Sequence, residues 1–233
     1  KSVPRNQFLM HKDQDTIYAI NHYNFFDKIV LKKRLEISNI INNIIKDFQI
    51  YDALDIGTTS DDKNVSSNTV IKNIKNIEKF KCISDQMVTS NFFSKILKKS
   101  ITEEFSENEL YKFSSDLVIS NATIEHVGGV LNQKKMIENI IKLTKKIFFI
   151  TTPNRFHPIE FHTKIPLIHW FPKSIYRKIL KFLGLYFYAN EENLNLLTVD
   201  ELKKILNSQK IAYEIKFLKL FFFKSNIIII GKK

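Results

Sequence analysis

Cysteine is nearly absent from this chain of 233 residues, in which Cys82 stands alone. A single thiol excludes an internal disulfide, and within its apolar run Cys82 is typical of a small buried hydrophobic residue. No uninterrupted apolar run reaches the length of a membrane span, because the longest is broken at 224–226. The sequence also opens without a signal-peptide pattern. We therefore expect a soluble protein of a reducing, cytoplasmic compartment.

Glycine and acidic residues are also scarce. With five glycines the chain has no G-x-G-x-x-G motif, which disfavours a nicotinamide dehydrogenase. The chain has 24 acidic residues and 36 Lys and Arg residues, so its formal net charge is +12. A basic surface can bind nucleic acid through its phosphates, but these lysines are scattered and accompany an excess of Asn, Ile and Phe. Nucleic-acid binding is therefore not the favoured interpretation.

Hydrophobic periodicity predicts one α/β domain over 1–233. A stripe at helical spacing predicts a helix over 27–47, within an N-terminal helical extension of 1–49. Short apolar runs predict strands at 51–57, 80–84, 96–97, 117–119 and 147–150. Helices are expected from 67 or 68 and over 133–145, with a polar loop around Glu103, Glu104 and Glu107. Strands that alternate with helices indicate a mostly parallel sheet with right-handed crossovers.

The last third of the chain changes character. Three prolines, at 158, 166 and 172, prevent one continuous helix, so an inserted cap of loop and short helix is predicted over 156–197. Thr198 and Glu201 form a capping box that begins a helix over 198–206. Two β-rich runs, 211–217 and 227–230, flank a polar break at 224–226. They predict an antiparallel hairpin at the sheet edge.

The stretch Phe113 to Gly129, FSSDLVISNATIEHVGG, is the strongest candidate for a site. A buried strand that ends in small polar residues is where an open α/β sheet presents a ligand crevice. The alternative is that Asn121 caps a helix and that Glu125 and His126 lie on its surface.

Two other strand ends carry candidate ligand-binding residues. After the first strand come Asp55, Gly57, Thr58 and Thr59, and a glycine there lets a ligand approach the backbone. After the second strand, Asp85 could accept both hydroxyls of a ribose, or it could be an ordinary turn residue.

The chain resembles class I S-adenosylmethionine-dependent methyltransferases of the type 11 kind from about Asp52 onward. The resemblance lies in the ordered segments DALDIGTTSD, FSSDLVISNATIEHVGG, ITTPNRFHPIEFHTKIPLIHWFP and NEENLNLLTVDEL. It implies a Rossmann-like sheet of seven strands with a reversed last strand, and S-adenosyl-L-methionine as the cofactor.

The resemblance also implies roles for individual residues. Asp55 and Gly57 match the loop around the methionine portion, Asp85 the ribose-binding acid, and Asn121 with Ala122 the loop beside the sulfonium. Thr58 and Thr59 stand where relatives often carry glycines. Ser100 stands where many carry an aspartate for the adenine amino group.

Catalysis of methyl transfer needs a base only if the acceptor loses a proton. His126 and Glu125 are the candidates, and His126 has the more suitable ordinary pKa. The alternative is a structural His126, hydrogen-bonded at the start of a helix.

Acceptor recognition is assigned to the segment after the fifth strand. Arg155 would bind a phosphate or carboxylate, and the further candidates there are His157, Glu160, His162 and Trp170. An Arg155–Glu160 ion pair that fixes the loop is the alternative. No metal site is expected, since Pro158 prevents His157 and His162 from sharing a regular helix and H-E-x-x-H is absent.

The basic, aromatic segment 173–188 could dock on an anionic membrane and bring a lipid-linked acceptor to the site. A packed cap helix or a dimer contact is the plainer interpretation. The function predicted is methyl transfer to a small-molecule or lipid- or sugar-linked acceptor. The alternative is a degenerate methyltransferase fold that binds membrane or RNA.

Overall fold

The computed structural model describes residues 25–60 and 68–233, so the expectations for 1–24 and 61–67 lie outside the described residues. Its strands are β1 (Asp52–Ile56), β2 (Lys79–Ser84), β3 (Lys95–Lys98), β4 (Ser115–Asn121), β5 (Thr144–Pro153), β6 (Ala212–Leu220) and β7 (Phe223–Lys232). They form one sheet in the order β3-β2-β1-β4-β5-β7-β6. β1 to β5 pair in parallel, whereas β7 is antiparallel to both β5 and β6. The predicted Rossmann-like sheet with a reversed last strand is confirmed.

Seven α-helices accompany the sheet in the described part of the chain. They are α1 (Phe25–Phe48), α2 (Thr69–Lys72), α3 (Glu107–Phe113), α4 (Val130–Leu143), α5 (Lys173–Phe182), α6 (Tyr186–Ala189) and α7 (Val199–Ser208). Two 3₁₀ turns lie at Ile124–His126 and Ile168–Trp170. The capping box predicted for α7 is present, since the Thr198 side chain accepts from the Glu201 amide and the Glu201 side chain accepts from the Thr198 amide.

Helices cover both faces of the sheet. The apolar stripe of α1, with Ile37, Ile41 and Ile44, joins a core cluster that includes Ala53 and Cys82. A second cluster combines strand residues such as Leu54 with α4 and α7. Successive strand residues point to opposite faces, so a strand covered on both sides must be apolar throughout. Each fully buried Leu or Ile contributes about 1.5–3 kcal/mol, and this pattern made the central strands predictable.

The helix expected from 67 or 68 is present as the single turn α2, whose N-cap is Asn68. Two local predictions are wrong. The region expected to be a polar loop contains α3, which begins at a second capping box formed by Ser106 and Glu109. The break in the final hairpin lies at Phe221 and Phe222, and 224–226 belong to β7.

The segment 156–197, predicted as an inserted cap and called the cap below, follows β5. Its helices α5 and α6 pack together around Tyr176, Leu180 and Ala189. Two ion pairs fix α5: Lys173 Nζ lies 2.9 Å from Glu201 Oε1, and Arg177 Nη2 lies 2.9 Å from Glu191 Oε1. Among the described residues, no helix is long and apolar enough to cross a membrane.

Candidate functional site

The carboxyl ends of β2, β1 and β4 lie side by side at one edge of the sheet. Asp55 of β1 pairs with Cys82 of β2 on one side and with Ile119 of β4 on the other. Because neighbouring strands are about 4.8 Å apart, the ends of β2 and β4 are separated by roughly 10 Å. The structure therefore brings the segments that carry Gly57, Asp85 and Asn121 to one edge.

Gly57 allows the loops after β1 and β4 to touch. Its φ of +83° is left-handed, and a Cβ built there would lie 2.4 Å from Thr123 Oγ1. The Thr123 hydroxyl donates to the Ile56 carbonyl oxygen at 3.2 Å, which holds the two loops together. A side chain at residue 57 would therefore be both strained and blocked. Part of the need for glycine comes from this contact between loops.

A buried polar chain lies beneath the β1 loop. Asp55 is only 5% exposed and its Oδ2 accepts from Thr58 Oγ1 at 2.5 Å. Cys82 Sγ in turn donates to Thr58 Oγ1 at 3.1 Å. Burial raises the pKa of Asp55 to about 6, and the hydrogen bond from Thr58 opposes that rise. Burial also raises the pKa of the Cys82 thiol, to about 12. Cys82 is therefore a protonated donor within the core.

The two threonines that replace glycines in this loop are occupied by local contacts. Besides its bond to Asp55, Thr58 accepts at its carbonyl oxygen from Ser84 Oγ at 2.7 Å. The Thr59 amide donates to Asn68 Oδ1 at 3.2 Å, and Asn68 Nδ2 donates back to the Thr59 carbonyl at 3.1 Å. Binding of a ligand by these side chains stays a prediction.

Asp85 and Asn121 keep hydrogen-bonding capacity. Within the described residues, the exposed Asp85 carboxylate has no hydrogen-bond partner. Asn121 Oδ1 accepts from Thr151 Oγ1 at 2.7 Å, which orients its amide while Nδ2 makes no bond in that part of the chain. Ala122 follows at a left-handed φ of 55°, with its amide bonded to the Thr151 carbonyl at 2.9 Å. Ser100 is occupied locally, since its hydroxyl lies 2.9 Å from Thr102 Oγ1.

Glu125 is a completely buried carboxylate in the 3₁₀ turn that follows β4. Its exposure is 0%, and Oε2 accepts from Thr152 Oγ1 at 2.9 Å. Oε1 is buried without a hydrogen-bond partner in the described chain. Burial raises the pKa of this carboxyl above its ordinary value. The surface location considered as an alternative for Glu125 is excluded.

His126 meets His162 of the cap through their Nε2 atoms, which lie 3.1 Å apart. His126 Nδ1 donates to the Asn193 carbonyl at 2.6 Å, and His162 Nδ1 donates to Glu160 Oε1 at 2.6 Å. Burial, together with the charge of His162, lowers the pKa of His126 to about 3. Burial also disfavours the charged form of His162, but Glu160 overcomes this and raises the pKa of His162. His162 is therefore the protonated histidine of the pair, and its Nε2–H group donates a hydrogen bond to His126 Nε2.

Glu160 is the negative partner of this histidine pair. It is buried, and Oε2 also accepts from the Thr163 amide at 2.6 Å. Burial alone would raise its pKa, but His162 and the amide bonds lower the pKa of Glu160 to about 2. Glu125 Oε1 lies 4.0 Å from His126 Nε2. The candidates Glu125, His126, Glu160 and His162 therefore form one cluster.

Polar residues that the sequence prediction missed hold this cluster in place. The Asn195 amide donates to the Glu125 carbonyl at 2.7 Å, and Asn195 Nδ2 donates to the Gly128 carbonyl at 2.9 Å. Gln133 Nε2 donates to the Asn195 carbonyl at 2.9 Å. The signal available in the sequence is the alternation N-L-N-L-L, which places carboxamides among leucines that are buried.

The remaining candidates in the cap are engaged with its backbone. Arg155 donates from Nε to the His169 carbonyl at 3.1 Å and from Nη2 to the Phe171 carbonyl at 2.8 Å, so it fixes the cap without pairing to Glu160. His157 is 3% exposed and stacks on Phe161. Trp170 Nε1 donates to the His157 carbonyl at 3.3 Å. Acceptor binding by these residues stays a prediction.

Comparison with known proteins shows a likeness of structure only. Neither a family model nor a curated protein matches the sequence. The plantazolicin methyltransferase BpumL in complex with SAH aligns with a TM-score of 0.60 at 12% identity, over 95% of this chain and 91% of its own. Magnesium protoporphyrin IX methyltransferase from Synechocystis PCC 6803 with bound SAH gives 0.58 at 12% identity, over 93% and 90%.

A third methyltransferase structure has a similar architecture to this chain. The N-methyltransferase NodS from Bradyrhizobium japonicum WM9 in complex with S-adenosyl-L-homocysteine gives a TM-score of 0.51 at 9% identity, over 98% of this chain and 95% of its own. Identities this low establish architecture, and function has to be argued from the site. The chain has the fold of the class I S-adenosylmethionine-dependent methyltransferases.

Proposed function

We propose that the chain transfers a methyl group from S-adenosyl-L-methionine to a small-molecule acceptor, or to one carried on a lipid or sugar. One observation supports this most: an acid without a hydrogen-bond partner in the described chain, a left-handed glycine and an oriented amide lie at or just beyond the ends of three neighbouring strands. They do so in a sheet whose architecture matches methyltransferases solved with SAH. In open α/β sheets this edge is where ligands bind.

The residues present are suited to the cofactor. Asp85 has a free carboxylate that can accept from both hydroxyls of a ribose. Asn121 Nδ2 and the partly exposed Gly57, whose amide already donates to the Ile83 carbonyl, supply neutral polar groups, and Asp55 is a buried acid at the end of the same strand. Negative and neutral groups at this edge suit a ligand with a positively charged sulfonium and an ammonium group. These are the residues that would hold S-adenosyl-L-methionine.

When bound, the cofactor would supply a methyl carbon on a positively charged sulfur for in-line attack by an acceptor atom. The chain's part is to hold the acceptor in line with that methyl group. Correct positioning alone can lower the barrier by as much as about 7–11 kcal/mol. The tightly bonded loops around Gly57, Thr123 and Asn121 provide the rigid frame that such positioning requires.

His126 is the proposed base for an acceptor that must lose a proton. Its Nδ1 is committed to the Asn193 carbonyl, which leaves Nε2 as the acceptor. Burial and the charge of His162 lower the pKa of His126 to about 3, so a role as base requires that the acceptor displace the charged His162 and relieve part of that shift. An acceptor hydroxyl that takes the place of His162 as hydrogen-bond donor would donate to this nitrogen. The protein then provides a lone pair at a fixed position, which is the geometric requirement for general base catalysis.

The cap supports an acceptor with an anionic or lipid-linked part. Arg155 lines a small crevice together with Lys173 and Arg177, whose charges are already paired with Glu201 and Glu191. The support for such an acceptor therefore comes from the outer side of the cap. On the outer side of the cap, Ile175 and Phe182 are exposed apolar residues among the lysines of α5. Basic residues beside exposed apolar side chains are the features with which an amphipathic helix binds an anionic membrane surface.

The proposal is tested by isothermal titration of the protein with S-adenosylhomocysteine. We expect saturable binding by the wild type and a loss of roughly 10–100-fold in affinity for Asp85→Asn, because a hydrogen bond to a charged group contributes about 1.5–3 kcal/mol. Asp47→Asn is the matched control, since it removes the same charge from an exposed residue near the end of α1. Absence of binding by the folded wild type would reject methyl transfer and favour the degenerate binding module.

A further inference from the structure

The side chains of Glu125, His126 and His162 are close enough together to bind one metal ion, which base catalysis does not require. Three potential ligand atoms, one from each residue, lie within 4.8 Å of one another. The two imidazole nitrogens are 3.1 Å apart. Ligand nitrogens bound tetrahedrally to one zinc ion, at about 2.0–2.1 Å each, are separated by roughly 3.3 Å. The two histidines are therefore already spaced as a pair of ligands to one ion.

The outer contacts of both histidines have the arrangement found around metal ligands. In metal sites a ligating histidine donates its other ring N–H to a carboxylate or a backbone carbonyl, which fixes the orientation of the ring. His126 Nδ1 donates to the Asn193 carbonyl, and His162 Nδ1 donates to Glu160 Oε1, both at 2.6 Å. Both Nε2 atoms are thereby directed to the same point.

The third ligand is supplied by the unsatisfied oxygen of Glu125. This side chain is 0% exposed, and its Oε2 is anchored by Thr152. Its Oε1 is buried without a hydrogen-bond partner among the described residues, although it lies 4.0 Å from His126 Nε2. A buried carboxylate oxygen without a partner is costly, and a cation beside it would remove that cost.

We propose that Glu125 Oε1, His126 Nε2 and His162 Nε2 bind a divalent first-row transition metal ion of the zinc type, which would displace the proton of His162 Nε2 to solvent. Two imidazoles and one carboxylate suit Zn²⁺ and related ions, whereas Mg²⁺ and Ca²⁺ prefer oxygen ligands throughout. Three protein ligands are typical of sites that keep a coordination position for water or substrate. Glu160 is a positioning residue, because it acts through the His162 ring.

The prediction of no metal site concerned His157 and His162, which cannot share a regular helix. In the structure His162 lies instead beside His126 and Glu125, 36 and 37 positions earlier in the chain. The ligands come from the turn after β4 and from the cap, and neither segment is a regular α-helix.

The site would have a specific use if the proposed methyl transfer is correct. An ion held at His126, four residues beyond Ala122, would bind an acceptor oxygen next to the loop assigned to the sulfonium. Coordination lowers the pKa of a bound hydroxyl, so the acceptor would lose its proton to solvent or a nearby base before attack. This use depends on the proposed function, whereas metal binding itself does not.

Metal binding is tested on the whole chain after it has been stripped with a chelator. Zn²⁺ is titrated by calorimetry and Co²⁺ by visible absorption, and we expect roughly one ion per chain with the d–d spectrum of a low-coordinate cobalt site. His126→Asn and His162→Asn keep a donor for Asn193 and Glu160, respectively, but remove the ligand nitrogen. Each should weaken binding by at least about tenfold.

Two further variants separate coordination from cap structure. Glu160→Gln should weaken binding by roughly 10–100-fold without changing the stoichiometry. His169→Gln is the control, because His169 is buried in the same cap and its Nε2 donates to the His157 carbonyl. It should bind the ion as the wild type does, with circular dichroism used to check folding.

Absence of saturable Zn²⁺ and Co²⁺ binding by the folded wild type would overturn the proposal. Undiminished binding by both asparagine variants would do the same. If those variants do not fold, nitrogen NMR of the wild type decides, since the Nε2 resonances of His126 and His162 must shift when Zn²⁺ is added. S-adenosylhomocysteine titrated in parallel keeps the two proposals distinct: its binding without metal binding rejects only the metal site, and the reverse rejects only methyl transfer.

Discussion

Asp55→Asn is expected to stabilise the protein at neutral pH. Asp55 is buried at the end of β1, and its one hydrogen bond in the described structure comes from Thr58 Oγ1. Burial raises its pKa from 3.8 to about 6, so at pH 7 the folded protein carries an ionised carboxylate in an unfavourable environment. The amide of Asn has similar size and keeps an oxygen that accepts from Thr58, but it has no charge.

The expected gain in the free energy of unfolding follows from the difference between the pKa values of Asp55 in the folded and unfolded chain. Asp55 in the unfolded chain titrates near 3.8 and in the folded chain near 6. The folded state therefore binds more protons between these values, and its stability falls as the pH rises through that window. At 1.36 kcal/mol per pH unit, the loss amounts to about 3 kcal/mol above pH 6. The asparagine variant lacks this loss.

The assay is urea unfolding of the wild type and Asp55→Asn, followed by circular dichroism at several pH values from 4 to 7.5. The variant should gain stability relative to the wild type as the pH rises, by about 3 kcal/mol over the series. Any difference in packing between the amide and the carboxyl changes the free energy of unfolding by the same amount at every pH. The comparison of pH profiles is therefore independent of it. Two parallel stability profiles would refute the reasoning, since they would mean that Asp55 titrates alike in both states.

The same substitution should weaken cofactor binding. A positively charged ligand above Gly57 would be attracted by the ionised Asp55, so the wild type should bind S-adenosyl-L-methionine, with its sulfonium charge, more tightly as the pH rises through 6. Asp55→Asn should bind more weakly and lose this pH dependence. A gain in stability together with a loss of affinity is the trade-off expected when an unfavourably buried charge contributes to ligand binding.

Two further predictions concern the β1 loop and the cap. Gly57→Ala should destabilise the protein by roughly 1–3 kcal/mol in urea unfolding, because φ is +83° and the new Cβ would collide with Thr123. Adding Thr123→Ala should restore only the part of the stability that is lost to this collision. Full restoration would contradict the contribution assigned to backbone strain. Phe182→Ser should reduce sedimentation with phosphatidylserine vesicles, since Phe182 is 90% exposed on basic α5, whereas Tyr111→Ser, at an 86% exposed aromatic of α3, should not. Equal losses in both variants would remove α5 as the docking surface.

The sheet was predictable from sequence because its inner strands are covered on both sides. Runs such as 117–119 and 147–150 contain almost only apolar residues, and burial on both faces permits little else. α3 was missed although Ser106 and Glu109 form a capping box, since its seven residues are too few to show a clear period. The hairpin turn was misplaced because two phenylalanines, Phe221 and Phe222, occupy it while polar residues enter β7.

The site was only partly predictable. The edge formed by β2, β1 and β4 follows from strand order, so Asp85, Gly57 and Asn121 could be named from the resemblance. The contact between His126 and His162 could not be predicted, because it joins residues 36 positions apart through two irregular segments. No periodicity specifies how such segments meet, since their positions depend on tertiary hydrogen bonds such as that of His126 Nδ1 to Asn193.

The bonds that anchor the cap are the same bonds that build the proposed chemical site. Asn193 and Asn195 connect the segment before α7 to the turn of Glu125 and His126, and His162 closes the contact from within the cap. The cap therefore cannot move away from the β4 loop unless His162 separates from His126. Under the proposed function, an acceptor that enters beneath the cap would have to break that contact, and its own donor or a bound ion would then satisfy His126 Nε2. The proposal therefore makes acceptor entry and activation of the site one structural event.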